Sequence, residues 1–128
     1  MRRCLFFSLL VFSSLAYSQS AFTAGMGNGR LWLSLESDTK IIYLTGIRDI
    51  LIATKPPDEA EYLPGRYTVA ELAKGIDQFY ASPENTLIPV VFGLRVCVMK
   101  FNGASQALID AVLSGMRKQL AEAAQPRR

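Results

Sequence analysis

Histidine is absent from this 128-residue sequence, and cysteine occurs only at Cys4 and Cys97. Histidine is the commonest metal ligand and the commonest general base in proteins, so catalytic triads and zinc sites built on histidine are excluded. Cys4 precedes an apolar run, so it is not the acylated cysteine of a bacterial lipoprotein. If Cys4 is removed with a leader, Cys97 has no partner for an intramolecular disulfide. We expect no cofactor.

The first 18 residues have the pattern of a secretory signal peptide. Arg2 and Arg3 precede an apolar run from Leu5 to Ala16, and Ala16-Tyr17-Ser18 supplies small residues for cleavage. The run of about a dozen residues is too short to span a bilayer, which needs about 20. Cleavage is expected after Ser18, with Ser20 as the second choice. The sequence therefore predicts a periplasmic or secreted protein with no membrane span after cleavage.

The rest of the chain has nearly equal numbers of basic and acidic residues. The sequence has 14 basic and 11 acidic residues. Removing Arg2 and Arg3 with the leader leaves 12 against 11, a net charge of +1. Phosphate binding needs a concentrated basic face, so no nucleic-acid partner is expected. The remaining residues, roughly 110, suit one small domain.

Hydrophobic spacing divides this domain into helices. We predict a linker over 19–27, a helical domain over 28–123 and a disordered tail over 124–128. Asn28 can cap a short helix of about two turns, and Ser37 or Asp38 can begin a longer one through roughly Ala53. The longer helix ends before a loop over 55–66 that is rich in proline and charge. Its apolar stripe is formed by Tyr43, Leu44, Ile47, Ile50 and Leu51.

Two more helices have amphipathic patterns. Thr68 and Glu71 form a capping box, and Ser105 can cap the last helix. The capping box precedes a stripe made of Val69, Leu72, Ala73, Ile76, Phe79 and Tyr80. The last helix has a stripe made of Leu108, Ile109, Val112, Leu113, Met116 and Leu120.

Residues 87–101 suit either a central helix starting at Pro89 or a buried strand. Their length favours a helix, which Asn102-Gly103 would end. The predicted fold class is therefore all-α, a compact array of four or five helices.

Asp77 is the first candidate interaction position, because it lies beside the best apolar stripe. A carboxylate there is a recognition point, a solvated edge of the helix, or one half of a structural ion pair with Lys40, Arg48 or Arg95 as the cation. Asp49 and Asp77 are the acidic residues that a hydrolase could use, but their spacing does not place them in one cleft.

The segment from Tyr80 to Asn85 is the second candidate, as a docking loop or as a tight connection in which Asn85 caps the next helix. We expect Trp32 to fill the core and Cys97 to be an inert buried thiol. Gly46 in mid-helix suggests a close helix crossing.

Several of these residues follow a pattern found in one family. Asn28-Gly29, Trp32, Leu35 and Lys40 precede Tyr43-Leu44-Thr45-Gly46-Ile47-Arg48-Asp49. This layout resembles that of the Tai-type immunity proteins, which guard the periplasm against type VI secretion amidase effectors and carry a Tyr-(Ile/Leu)-x-Gly-(Ile/Val)-x-Asp helix. Tyr67 to Leu72 matches a second motif, and the resemblance covers residues 28–103. The family's cysteines are missing, and Lys40 stands where one is expected.

The sequence thus favours an exported protein-binding module over an enzyme. The resemblance implies an effector enzyme as the partner, and pairing into a homodimer is a further expectation. The alternative is a periplasmic accessory or structural protein without an effector partner. A hydrolase using Asp49 and Asp77 is the third hypothesis.

Overall fold

The computed structural model describes residues 20–54 and 66–123. The predicted leader over 1–18, nearly all of the loop over 55–66 and the tail over 124–128 lie outside the described residues, as does the preferred cleavage site after Ser18. Within the described ranges the chain is all-α, as the sequence predicts, with five α-helices and one short hairpin. In chain order the elements are β1 (Phe22–Thr23), β2 (Met26–Gly27), α1 (Gly29–Ser34), α2 (Ser37–Thr54), α3 (Val69–Tyr80), a 3₁₀ helix (Pro83–Asn85), α4 (Val90–Phe101) and α5 (Gln106–Ala123).

The hairpin corrects the prediction of a linker over 19–27. β1 and β2 pair antiparallel, with Phe22 opposite Gly27 and Thr23 opposite Met26. The two turn residues, Ala24 and Gly25, have φ angles of 50° and 79°. Positive φ at both positions is what a type I′ hairpin turn requires. The segment is thus a folded element that packs beside the helices.

Asn28 connects the hairpin to α1, as well as capping the helix as predicted. Its side-chain oxygen accepts hydrogen bonds from the backbone N–H groups of Arg30 (3.0 Å) and Leu31 (3.4 Å). Its Nδ2 donates to the Ser20 carbonyl (3.1 Å) and to Thr23 Oγ1 (2.9 Å). Asn28 is fully buried, so all its polar atoms need partners. One side chain therefore fixes the hairpin against the first helix.

The N-terminus of α3 has the predicted capping box. Thr68 Oγ1 accepts from the Glu71 N–H at 3.2 Å, and Glu71 accepts from the Thr68 N–H at 2.8 Å. The hydrogen bonds from Thr68 lower the pKa of Glu71 below its ordinary value. Every predicted stripe residue of α3 except the half-buried Val69 is buried.

The central segment is a helix, so the strand alternative is wrong. Pro89 lies at the N-cap of α4, one position before the first helical residue. Most of α4 is buried against α3, and only Arg95, Lys100 and Phe101 of its residues are exposed. Gly103, with a φ of 78°, ends the segment in the left-handed conformation.

The stripes of α2 and α5 are only partly correct. Ile50 is 65% exposed and Leu108 is 51% exposed, while Leu44, Ile109 and Leu113 are buried. α2 carries isoleucines on all sides, so its spacing does not single out the residues that face the core.

Gly46 also differs from the prediction. A Cβ built there would meet no described atom within 4 Å, so α2 makes no close crossing with another described helix at that position. The close approach of α3 to α4 occurs instead at Gly75, where a Cβ would lie 2.9 Å from the ring of Phe101.

Candidate functional site

Asp77 joins three helices through one carboxylate oxygen. Its Oδ1 accepts a hydrogen bond from Trp32 Nε1 on α1 and another from Lys40 Nζ on α2, both at 2.8 Å. Lys40 also lies 5.2 Å from the centre of the Trp32 ring. Of the three candidate cations, Lys40 is thus the one that binds Asp77. Trp32 is a second donor to Asp77, and the sequence did not indicate it. The arrangement is that of a structural tie.

Asp49 has a different partner from Asp77. Its carboxylate lies 3.6 Å from Arg48 on the same helix, while Asp77 binds Trp32 and Lys40. The two carboxylates that a hydrolase would need are therefore engaged with different partners.

We expect two substitutions of Asp77 to distinguish the contribution of its ion pair with Lys40 from that of its hydrogen bond with Trp32. Asp77→Asn keeps an oxygen for Trp32 but removes the ion pair, and should cost up to about 1 kcal/mol. Asp77→Ala leaves the Trp32 N–H without its acceptor in a buried setting, and should cost about 1–3 kcal/mol. Urea unfolding measures both free energies.

The control for this pair is Asp110→Ala, at an exposed site where the carboxylate accepts a hydrogen bond from Gln106 on its own helix. We expect its loss to stay within about 0.5 kcal/mol. If Asp77→Ala costs no more than Asp110→Ala, Asp77 does not tie the helices together.

Tyr80 and Asn85 belong to the packed interior and do not form a docking loop. Both side chains are buried, and the Tyr80 hydroxyl donates to the Ile88 carbonyl at 2.8 Å. Asn85 Nδ2 donates to the Phe79 carbonyl at 2.8 Å, at the C-terminal end of α3. Asn85 thus supplies a hydrogen-bond donor to the C-terminal end of α3 and does not cap α4. The segment is the tight connection that was the alternative prediction.

The four predicted positions therefore fall into two groups. Lys40 and Asp77 bind each other at the junction of α1, α2 and α3, whereas Tyr80 and Asn85 lie beneath the connection between α3 and α4. Tyr80 and Asn85 are buried, whereas the Asp77 side chain is 49% exposed and binds Trp32 and Lys40 through Oδ1.

Asn85 binds a residue of a surface cleft that the sequence does not indicate. Its Oδ1 accepts a hydrogen bond of 2.6 Å from Arg117 on α5. Arg117 stands at one side of an apolar cleft of about 430 Å³, which we call the hairpin groove. The groove is lined by Phe22, Thr23, Glu84, Leu87, Ile88, Arg117, Leu120 and Ala121.

Backbone contacts bring the walls of the hairpin groove together. The Gly29 N–H donates to the Thr86 carbonyl at 2.9 Å, and Asn28 forms an isolated bridge with Pro89. These contacts hold the base of the hairpin against the connection between α3 and α4, while the bond from Arg117 to Asn85 holds α5 beside the same connection.

The lining of the hairpin groove combines exposed apolar side chains with two charges. Phe22 and Leu87 are 55% and 47% exposed, although large apolar side chains are usually buried. Glu84 lies 3.9 Å from Arg117, at the outer limit of an ion pair. The groove can therefore take an apolar group, with a cation at its side.

Cys97 is buried, as expected. Burial raises the pKa of its thiol to about 12, so the sulfur is protonated at neutral pH. The thiolate is the nucleophilic form, and this thiol is therefore inert in the folded chain. Across residues 20–54 and 66–123 there is also no group of three or more Cys, Asp or Glu side chains that could hold a metal ion.

No protein-family model, curated protein or solved structure matches this chain. In the described part of the chain, no helix is long and apolar enough to cross a membrane.

Proposed function

We propose that this chain is an exported helical protein that binds another protein through the hairpin groove, without catalysing a reaction. The groove carries this proposal because the exposed side chains of Phe22 and Leu87 both line this concave, mainly apolar surface. Contiguous exposed apolar surface rimmed by polar residues is typical of interaction sites. The buried thiol of Cys97 and the engaged carboxylates fit a protein that acts by binding.

The occupant that best fits the groove is an apolar side chain of a partner protein, next to a carboxylate in the partner's sequence. The apolar side chain would contact Phe22, Leu87 and Leu120. The carboxylate would bind Arg117, whose contact with Glu84, at 3.9 Å, is long for an ion pair. Arginine has five N–H donors, so it can hold Asn85 and a partner carboxylate together.

The partner class that we propose is a type VI secretion amidase effector, which would make the chain an immunity protein. Support comes from the sequence resemblance over residues 28–103 and from the signal peptide predicted at the N-terminus. An effector of this class acts in the periplasm, and the export signal would take this chain to the same compartment. A gene for such an effector is expected beside the gene for this chain.

The decisive variant is Leu87→Glu, measured by calorimetry with the adjacent amidase effector as the probe. A glutamate would place a charge against the apolar contact, and we expect affinity to fall at least about 30-fold, the effect of losing a hot-spot residue. Arg117→Ala should also weaken binding, whereas Lys118→Ala, which changes the neighbouring exposed cation, should not.

The matched control is Leu33→Glu, because Leu33 is 52% exposed and lies on α1, outside the groove lining. Equal affinity for the Leu87 and Leu33 variants would show that the groove is not the binding site. Lack of an adjacent effector gene, or no binding at micromolar concentrations, would contradict the immunity role and favour the accessory role.

A further inference from the structure

A second cleft runs along the other side of α5. It has a volume of about 290 Å³ and lies between α4 and α5, and we call it the α5 trough. Its main lining residues are Phe92, Arg95, Val112, Gly115, Met116 and Leu120. Leu120 also lines the hairpin groove, so the two clefts meet at this side chain. A protein held in the hairpin groove therefore has the α5 trough directly beside it.

Apolar side chains of α5 form one wall of the α5 trough. Val112, Met116 and Leu120 are spaced at i, i+4 and i+8, so they form a row about 12 Å long on one side of the helix. All three are only partly buried, whereas Ile109 and Leu113 are the buried residues among the 18 residues of α5. The row thus keeps apolar surface that the described chain does not cover.

Gly115 leaves the edge of the α5 trough open. A Cβ built there would meet no described atom within 4 Å. Glycine is less favourable than alanine in the middle of a helix, and no contact within the described chain uses the space beside this one. The distance between two packed helices depends on the side chains at the contact, so the missing side chain allows another backbone to approach α5 closely.

Arg95 is the only charged residue among the described residues that line the α5 trough. It is exposed and forms no ion pair with a carboxylate of the described residues. Each cleft thus has an arginine beside an apolar lining, Arg95 in one and Arg117 in the other, which favours a partner surface that carries carboxylates. Two copies of this chain would not pair through the α5 trough, because its lining has no acid and does not complement itself.

We infer that the α5 trough receives an amphipathic helix of the same partner protein that occupies the hairpin groove, an inference that rests on the proposed function. Apolar residues of that helix would contact Val112 and Met116, and a carboxylate on it would bind Arg95. A helix suits this cleft better than an extended strand, because both walls are helices whose backbone groups are already bonded within each helix. A strand would find no free backbone groups there with which to pair.

Calorimetric titration of the purified chain with the adjacent amidase effector tests the α5 trough separately from the hairpin groove. Gly115→Gln places a side chain at the open edge, and we expect the affinity to fall at least about tenfold. The same change improves helix propensity, so the melting temperature of the free chain should not fall. The matched control is Ala107→Gln, at an exposed position in the first turn of α5 outside both linings, and it should leave the affinity unchanged.

Arg95→Ala tests the charge in the same titration. We expect the affinity to fall about tenfold, and the loss should become smaller at high salt, because screening weakens the ion pair with the partner. Lys100→Ala is the matched control, since Lys100 is an exposed cation on the same helix outside the lining of the α5 trough. It should bind the effector as tightly as the parent chain.

The results distinguish this inference from the proposed function. If Leu87→Glu weakens binding while Gly115→Gln and Arg95→Ala bind like the parent chain, the α5 trough is not part of the binding site, although the hairpin groove is. If the effector does not bind the parent chain, the proposed function fails and this inference fails with it. Self-association of the chain that Gly115→Gln abolishes, or binding to vesicles of anionic phospholipid that Arg95→Ala abolishes, would assign the α5 trough to another occupant and overturn the inference.

Discussion

Ile76→Ala is expected to cost about 2–5 kcal/mol of unfolding free energy, the usual range for emptying a large buried aliphatic site. Ile76 is fully buried on α3, which packs against α4 at the centre of the fold. With no disulfide within the described residues, stability depends on packing of this kind. A small domain has about 5–15 kcal/mol in total, so the variant should unfold at much lower urea concentration.

The control is Leu108→Ala, which removes the same number of carbon atoms from an exposed position on α5. We expect its loss to stay within about 0.5 kcal/mol. Similar losses for the two variants would mean that α3 does not supply the core.

Gly29→Ala should also be strongly destabilising, although it adds a single methyl group. A Cβ at Gly29 would collide with the ring of Tyr80 and lie 2.9 Å from the Thr86 Cα. The backbone at Thr86 cannot move away freely, because its carbonyl accepts the Gly29 N–H. Overpacking of this kind costs about 1–3 kcal/mol, and sometimes more. Thermal unfolding followed by circular dichroism measures the effect.

Gly115→Ala is the comparison for Gly29→Ala. Gly115 is in α5 with no described atom within 4 Å of a built Cβ, so alanine there should stabilise by roughly 0.5–1 kcal/mol. If both substitutions shift the melting temperature in the same direction, the contact between Gly29 and the connection after α3 is absent in solution.

The sequence predicted some helices better than others for a physical reason. On α3 the apolar residues occupy one face only, so the spacing identifies the buried side, and its capping box defines the start. On α2 the isoleucines at 41, 42, 50 and 52 surround the helix. Periodicity cannot choose among them, and the prediction that Ile50 faces the core was wrong. Only the packing partner, α3, determines which side is buried.

The hairpin was not predicted because its turn lacks the usual residues. Type I′ turns are normally signalled by Asn-Gly or Asp-Gly, and this one is Ala24-Gly25. An alanine with positive φ costs about 1–2 kcal/mol, so backbone propensity does not predict a hairpin turn at Ala24-Gly25. The hydrogen bonds from Asn28 to Ser20 and Thr23 help to hold the hairpin against this preference, and they depend on the fold around them.

The candidate site was predicted only in part for a similar reason. A carboxylate beside an apolar stripe tends to be held by a donor or a cation, which indicated an ion pair at Asp77 but did not select Lys40 from the three candidate cations. The hairpin groove combines residues near positions 22, 87 and 120, and no local spacing connects them. Phe22 lies in the segment predicted as a linker, and Leu87 begins the segment predicted as a central helix or a buried strand, so neither residue indicated a shared surface.

Hydrogen exchange of the chain, with and without the adjacent amidase effector, tests most directly whether this protein works by binding through the hairpin groove. Peptides covering residues 20–24, 84–88 and 117–121 form the walls of the groove. We predict that their amides exchange more slowly in the complex, while those of α2, on the separate surface that carries Ile42, are unchanged by the effector. No change in the three groove segments, with slower exchange elsewhere or nowhere, would contradict the proposed function.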